Sequence, residues 1–160
     1  MIEKIISGGQ TGADRAGLDV AISLNINHGG YCPKGRLAEN GPIPMKYNMI
    51  EMGSAKYHYR TEKNVQESCG TVIFSRGRLA RGSKLTLDYC LRHKKPCLHI
   101  DFNFEDENKP NLLIDFIKES QIQILNVAGQ RLSSEKTIYS LSYQCLREAL
   151  SDSTLMTNIG

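Results

Sequence analysis

Apolar residues follow two different periodicities along this chain. Short β-branched runs, such as Ile5-Ile6 and Val72-Ile73, are typical of buried strands, whereas apolar residues three or four positions apart favour helices. These patterns predict strands at 2–6, 28–32, 49–52, 71–74, 97–100 and 123–127. They predict helices at 16–24, 55–68, 84–93, 112–119 and 135–150, the third with Leu85, Leu87, Cys90 and Leu91 on its inner face.

The alternation of strands and helices predicts an α/β fold with a mainly parallel sheet that helices cover on both faces. In such a sheet the strand-to-helix loops open at one edge, where ligands bind. The length of 160 residues predicts a single domain, which we place at 1–150, followed by a weakly ordered tail at 151–160. The segment 37–48, which contains one glycine and two prolines, predicts an irregular loop.

The first strand-to-helix turn combines glycines with small polar residues. Gly8, Gly9 and Gly12 lack a Cβ, so a ligand can approach the backbone closely. The first amides of the next helix have no partner within it, and the helix dipole favours an anion there, so a phosphate is the expected ligand. The expected contacts are Ser7, Gly8, Gly9, Gln10, Thr11, Gly12 and Asp14. The turn matches neither the Walker nor the dinucleotide fingerprint, and the alternative is a tight turn with Thr11 or Asp14 as N-cap.

Several loops that are predicted to meet at this edge carry basic residues. They span 7–14, 32–36, 75–83, the turn at Asp101 and 128–134. Their bases are Lys34, Arg36, Arg76, Arg78, Arg81 and Arg131. Arginine suits an anion site because its planar fork binds oxyanions through two hydrogen bonds. Each base taken alone could equally be a solvated surface charge.

Two later turns repeat the arrangement of the first. Gly82 and Ser83 would place free amides and a hydroxyl at a second helix N-terminus, and Gly129 and Arg131 lie near a third. Three helix N-termini at one crevice could bind more than one phosphate or an elongated anion. The alternative for Ser83 is simple capping of its own helix.

The composition narrows the classes of ligand and partner. The formal net charge of +3 weakly favours anionic small molecules and gives no footprint for nucleic acid. No apolar run is long enough to cross a membrane, and five cysteines without a C-x-x-C pair suggest reduced thiols, so a cytoplasmic location is expected. The four histidines lack metal-ligand spacing, so no metal site is expected. Cys32, beside Pro33 at a loop mouth, is expected to be the most exposed cysteine.

A series of short motifs resembles the molybdenum carrier family, which is also described as a circularly permuted branch of the SLOG superfamily of Rossmann-like ligand-binding domains. The motifs are S-G-G-Q-T-G-A-D-R at 7–15, P-K-G-R at 33–36, G-P-I-P at 41–44, R-T-E-K-N-V at 60–65, T-V-I-F at 71–74 and N-V-A-G at 126–129. The similarity runs over residues 2–150. It implies a Rossmann-like three-layer sandwich.

The resemblance also implies a ligand, the molybdenum cofactor (molybdopterin), which is a phosphorylated pterin. A carrier needs a groove for phosphate and pterin but no cysteine ligand, since the pterin supplies its own dithiolene sulfurs. Other members of the superfamily bind nucleotides, and some cleave the glycosidic bond with a glutamate that follows a Gly-Thr pair. Here Gly82 and Ser83 match that pair, but Thr86 stands at the position of the carboxylate. The alternative function is therefore a nucleotide N-glycosidase (phosphoribohydrolase) that uses Asp14 or Asp101 as acid or base.

The remaining candidate contacts each have a structural alternative. Asp14 could accept a hydrogen bond from a ligand or begin a helix, and Asp101 could act on a ligand or cap its own loop. Three tyrosines could stack on a ring, namely Tyr31, Tyr57 and Tyr59. Simple topology places four residues of one motif on a helix away from the edge, namely Arg60, Thr61, Glu62 and Asn64.

The hypothesis that follows is a cytoplasmic binding protein for an anionic, phosphorylated, ring-containing small molecule, either the molybdenum cofactor or a nucleotide. The first glycine turn would hold phosphate, and Lys34, Arg36 and Arg76 would add positive charge. Neither nucleic acid nor a membrane is an expected partner. Self-association through helices predicts a homo-oligomer.

Overall fold

Strands and helices alternate through most of the chain in the computed structural model, which describes residues 1–105, 107–152 and 155. The strands are β1 (Lys4–Ile6), β2 (Asn27–Gly29), β3 (Tyr31–Cys32), β4 (Leu37–Ala38), β5 (Gly41–Pro42), β6 (Ile50–Glu51), β7 (Gly70–Ser75), β8 (Cys97–Asp101) and β9 (Ile124–Gly129). The helices are α1 (Ala13–Ser23), α2 (Tyr57–Glu67), α3 (Arg81–Arg92), α4 (Lys109–Glu119) and α5 (Ile138–Leu150).

The central sheet is parallel throughout and has the strand order β2-β1-β9-β7-β8. Its register pairs Val72 of β7 with Leu98 of β8 and Val127 of β9. Every residue of β7 is buried, as expected for a strand that helices cover on both faces. The other four strands form two short ribbons, β3 with β6 and β4 with β5.

Helices cover both faces of this sheet. The α1, α4 and α5 helices pack against one another on one side, and α2 packs on α3 on the other. The larger core lies under the first group and includes Phe74, Leu113 and Leu146, while Val65 and Cys90 belong to the smaller cluster on the second side. This arrangement confirms the predicted α/β three-layer sandwich with a Rossmann-like parallel sheet.

The predicted strand at 28–32 is in fact two strands, because the chain turns at Gly30. Gly30 has a φ of 124°, and a Cβ there would lie 2.2 Å from the carbonyl oxygen of Ser7. The turn directs β3 out of the central sheet and into its ribbon with β6. The sequence pattern predicts that the loop at 32–36 follows a strand of the central sheet, but β3 does not belong to that sheet, so this prediction is wrong.

Smaller differences concern helix ends and faces. The α3 helix begins at Arg81, three residues before its predicted start, and Leu91 is 69% exposed rather than inward. Its buried face instead carries Ser83, Thr86, Tyr89 and Cys90, which follow the helical repeat. The predicted loop at 37–48 contains the β4–β5 ribbon.

Cys32 is fully buried, contrary to the expectation of exposure. It packs in a cluster with Leu18 and Ile43, and burial raises the pKa of its thiol. Most of the predicted weakly ordered tail lies outside the described residues, although Leu155 is buried in the main core. Within the described ranges, no helix combines the length and apolar character needed to span a bilayer.

Candidate functional site

A cavity of about 340 Å³ lies at the carboxyl edge of the central sheet. Its walls come from the turn after β1, the first turns of α2 and α3, and the segment that follows β9. The volume is near the lower end of the range for small-molecule sites, roughly 300–1,000 Å³. The position agrees with the rule that ligands of parallel α/β sheets bind beyond the carboxyl ends of the strands.

Positive charge exceeds negative charge in the walls of this cavity. Arg60, Arg81 and Arg131 line it, whereas Asp14 is the one carboxylate among the described lining residues. The Arg81 side chain is exposed and makes no hydrogen bond or ion pair with the described residues. The excess of cations makes the cavity suited to an anionic ligand.

The start of α3 presents unused hydrogen-bond donors to the cavity. No side chain caps this helix, and the backbone amides of Arg81 and Gly82 find no acceptor in the described residues. Ser83 adds a hydroxyl, and all three residues line the cavity. Arg81 also has a φ of 49°, a left-handed conformation that is costly for a residue with a side chain and that clusters at functional sites.

Asp14 and Arg60 form a buried pair in the wall. Arg60 Nη1 lies 3.9 Å from Asp14 Oδ2, and the two side chains are 13% and 7% exposed. Burial raises the pKa of Asp14 above its ordinary value, although Arg60 and a hydrogen bond from the Gln10 amide oppose the rise. Burial thus disfavours the ionised form of the Asp14 carboxyl group, and the nearby charge of Arg60 stabilises that form.

The first glycine turn does not present the row of free amides that its sequence predicts. All residues from 7 to 14 are buried. The Gly9 amide donates to Ser7 Oγ at 3.2 Å, the Gln10 amide to Asp14 Oδ2 at 3.2 Å and the Thr11 amide to Gln10 Oε1 at 3.1 Å. These three amides are therefore used within the turn itself.

Close packing accounts for two of the glycines in this turn. A Cβ at Gly9 would lie 2.7 Å from the side chain of Ile43, and one at Gly12 would lie 2.4 Å from the carbonyl oxygen of Gln130. Gly12 is also the N-cap of α1, so neither Thr11 nor Asp14 has that role.

The Thr11 hydroxyl instead ties together two loops beside the cavity. It donates to Glu39 Oε1 and accepts a hydrogen bond from the Leu132 amide at 3.2 Å. Glu39 also accepts from Ser133, whose amide lies 3.1 Å from Glu39 Oε1. Thr11 therefore supports the wall of the cavity and does not line it.

Four of the six predicted bases do not line the cavity, namely Lys34, Arg36, Arg76 and the exposed Arg78. Lys34 is exposed and belongs to the loop after β3. The Arg36 guanidinium donates to the carbonyl oxygens of Ile43, Pro44 and Tyr47 at 2.8–2.9 Å, so it holds its own loop together. Both residues follow a strand that has left the central sheet.

Arg76 follows β7 but points away from the cavity. Its guanidinium donates to Asn103 Oδ1 at 3.2 Å and lies 3.8 Å from Glu135. Asp101, at the end of β8, accepts hydrogen bonds from the amides of Gly77 and Asn103. Burial opposes ionisation of Asp101, but these hydrogen bonds lower its pKa, as expected for a carboxylate that caps a loop.

The cavity does bring together six of the residues that the sequence marked for ligand binding. They are Gln10, Asp14, Gly82, Ser83, Gly129 and Arg131. Thr86 also lines the cavity, and its hydroxyl donates to the Gly82 carbonyl oxygen at 3.0 Å. Asp88 is exposed and lies 3.6 Å from Lys84, outside the cavity.

Sequence topology missed the contribution of α2. The first residues of this helix reach the carboxyl edge, where Tyr57, His58, Arg60 and Thr61 line the cavity. The signal available in the sequence was the R-T-E-K-N-V motif at 60–65, one of the motifs that carry the family resemblance. No group of three His, Cys, Asp or Glu side chains suitable for a metal ion occurs within the described part of the chain.

Comparisons with known proteins agree with this architecture. The chain matches the circularly permutated YpsA SLOG family over residues 5–150. It is similar to a crystal structure described as "Putative molybdenum carrier protein" from Syntrophus aciditrophicus SB, with a TM-score of 0.91 and 48% sequence identity over 94% of this chain and 96% of that chain. No curated protein matches significantly. The chain therefore belongs to the circularly permuted YpsA branch of the SLOG superfamily.

Proposed function

We propose that this protein binds the molybdenum cofactor, an anionic phosphorylated pterin, in the cavity at the carboxyl edge of the sheet, and that it acts as a carrier of that cofactor. The observation that carries the proposal is the cavity wall itself, in which Arg60, Arg81 and Arg131 face a single described carboxylate, Asp14. The structural similarity to a protein described as a molybdenum carrier supports the choice of ligand.

The start of α3 is the proposed phosphate subsite. The amides of Arg81 and Gly82, which have no acceptor among the described residues, lie at the positive end of the helix dipole beside the Ser83 hydroxyl. The Arg81 side chain, which has no partner in that part of the chain either, lies beside them. A phosphate monoester would satisfy these donors together. Because the helix N-terminus and the side chain both contribute, we expect this subsite to supply much of the affinity for phosphate.

Tyr57 is the proposed contact for the flat pterin ring. It lines the cavity, and the guanidinium groups of Arg60 and Arg131 lie 5.5 and 5.7 Å from the centre of its ring. Aromatic and guanidinium planes both stack on heterocycles. Gln10 Nε2 is buried and has no acceptor within the described ranges, so it is a candidate donor to an oxygen or nitrogen acceptor of the ligand.

The first experiment measures cofactor loading in the protein purified from a host that synthesises the molybdenum cofactor. Molybdenum is measured by elemental analysis, and the pterin by the fluorescence of its oxidised form. We expect stoichiometric loading of the wild type and lower loading of Arg81→Gln. A charge-assisted contact to phosphate contributes about 1.5–3 kcal/mol, so its loss should lower the affinity for the cofactor at least tenfold.

Arg92→Gln is the matched control, since Arg92 lies at the other end of α3, outside the cavity. It removes the same charge, and we expect unchanged loading. An equal loss of cofactor loading in Arg81→Gln and Arg92→Gln would show only a general effect of the net charge. A wild type that carries neither molybdenum nor pterin would contradict the proposal, and release of a free base from nucleoside monophosphates would indicate a glycosidase instead.

A further inference from the structure

Gly8 lies directly against the guanidinium of Arg60. A Cβ at position 8 would come within 2.4 Å of Arg60 Nη1, 2.5 Å of Cζ and 2.7 Å of Nε. Gly8 is not among the residues with positive φ, so its backbone conformation is open to other amino acids. A side chain at this position would therefore displace the Arg60 guanidinium, whereas the sign of φ would not exclude it.

Among the residues that the structure describes, only one nitrogen of the Arg60 guanidinium has a polar partner. Nη1 donates to Thr61 Oγ1 at 3.1 Å and lies 3.9 Å from Asp14 Oδ2. Nε is buried and has no partner, and Nη2 makes no hydrogen bond with the described residues. The Nε–Nη2 edge, which binds phosphate through two parallel hydrogen bonds, is thus left unused.

A second, small cavity adjoins the main one beside this arginine. Its volume is about 10 Å³, and its lining includes Gly8, Arg60, Thr61, Asn64 and Thr86. A space of this size accommodates about one water-sized atom. It shares Arg60, Thr61 and Thr86 with the main cavity, so an oxygen of a ligand in the main cavity could enter it.

We propose that Arg60 binds a phosphate oxygen pair of the ligand through its Nε–Nη2 edge, and that Gly8 is the positioning residue that gives the guanidinium its place. The inference rests on the proposed function for the nature of the ligand, and it adds Arg60 to the phosphate subsite at the start of α3, which lines the same cavity. The sequence predicts that Gly8 binds phosphate through its backbone, whereas this proposal gives Gly8 the role of making room for Arg60. Gly8 admits an arginine from α2, and the arginine, not the backbone of the turn, contacts the phosphate.

The test uses orthophosphate as the probe, with isothermal titration calorimetry on the full-length protein. We expect saturable binding to the wild type and at least tenfold weaker binding to Arg60→Lys, which keeps a charge for Asp14 but loses the two-pronged donor edge. Gly8→Ala is expected to lose as much. The double variant is expected to bind no more weakly than either single variant, because both changes remove the same contact.

Gly53→Ala and Arg92→Lys are the controls, since nothing lies within 4 Å of a Cβ at Gly53 and Arg92 lies outside the cavity. Circular dichroism and thermal unfolding establish that each variant is folded. If Gly8→Ala does not fold, Arg60→Lys with its control still decides the role of the arginine. Unchanged binding in Arg60→Lys, additive losses in the double variant, absence of phosphate binding by the wild type, or a preference for acetate would each overturn the inference.

The cofactor-loading experiment separates this inference from the proposed function. Phosphate binding that depends on Arg60 in a protein that never carries the molybdenum cofactor would remove the proposed cofactor and support the phosphate contact. Normal cofactor loading in both Gly8→Ala and Arg60→Lys would support the proposed function and overturn the phosphate contact of Arg60.

Discussion

Replacing Arg60 by methionine is expected to lower the free energy of unfolding by about 3 kcal/mol at pH 8, because removal of one partner leaves a buried charge without compensation. The partner is Asp14, whose side chain is 7% exposed. Among the influences that favour its ionised form, the Arg60 charge is the largest. Methionine fills a similar volume, so the loss reports mainly on charge. Urea unfolding followed by circular dichroism measures it.

The loss is expected to depend on pH in a direction that the pKa of Asp14 fixes. Burial raises this pKa above its ordinary value of 3.8, so the folded protein holds the proton more tightly than the unfolded chain does. Stability therefore falls as the pH rises from about 4 through the pKa of the folded state. Without Arg60 that pKa rises further, which extends the fall to higher pH. The difference between variant and wild type should be small near pH 4 and should grow as the pH rises through the pKa of Asp14 in the variant.

A second substitution tests this explanation directly. Asp14→Asn in the Arg60→Met background removes the uncompensated carboxylate and is expected to recover most of the stability at pH 8. Lys63→Met is the control, because Lys63 and Glu67 form an exposed pair on the same helix, and solvent screens such pairs so that they contribute little to stability. A loss in Arg60→Met that is equal at pH 4 and pH 8, or a double variant as unstable as the single one, would contradict the electrostatic account.

Local sequence patterns were sufficient to predict the elements that end at the cavity. The apolar runs of β7 and β9 are each continuous in sequence; β7 is followed by a turn that contains Gly77, and β9 itself ends at Gly129. Because parallel strands end at one edge, Gly82, Ser83 and Gly129 could be assigned to that edge without any knowledge of side-chain contacts.

The contributions that sequence missed depend on contacts between distant segments. Whether Lys34 lies at the edge depends on Gly30, which redirects the chain so that β3 pairs with β6 and not with the central sheet. Arg60 reaches the cavity because α2 begins at the carboxyl edge. The segment between β2 and α2 that brings the chain there has no regular hydrophobic pattern from which its path could be predicted. The glycines of the first turn were visible, but a glycine that binds phosphate and one that packs against a neighbour look the same in a sequence.

Gly12→Ala is expected to lower the free energy of unfolding by about 3 kcal/mol, from two causes. Gly12 has φ 84° and ψ −129°, a sparsely populated backbone conformation that costs other residues about 1–3 kcal/mol. Its new Cβ would also lie 2.4 Å from the Gln130 carbonyl oxygen and 3.0 Å from Arg131 Cα, and such overpacking costs about 1–3 kcal/mol. The carbonyl cannot move freely, because it accepts a hydrogen bond from the Ala13 amide at 3.1 Å. Chemical denaturation at neutral pH gives the change.

Two other glycines separate these causes. Gly41 has a φ of 108° but nothing within 4 Å of its Cβ position, so Gly41→Ala should cost about 1–3 kcal/mol from conformation alone. Gly53 has neither a positive φ nor an atom within 4 Å of its Cβ position, so Gly53→Ala should leave the free energy of unfolding nearly unchanged. If Gly12→Ala costs no more than Gly41→Ala, the contact with Gln130 can relax, and the turn after β9 is not held against α1. If it costs clearly more, the glycine of the first turn is there because the Arg131 loop packs against it.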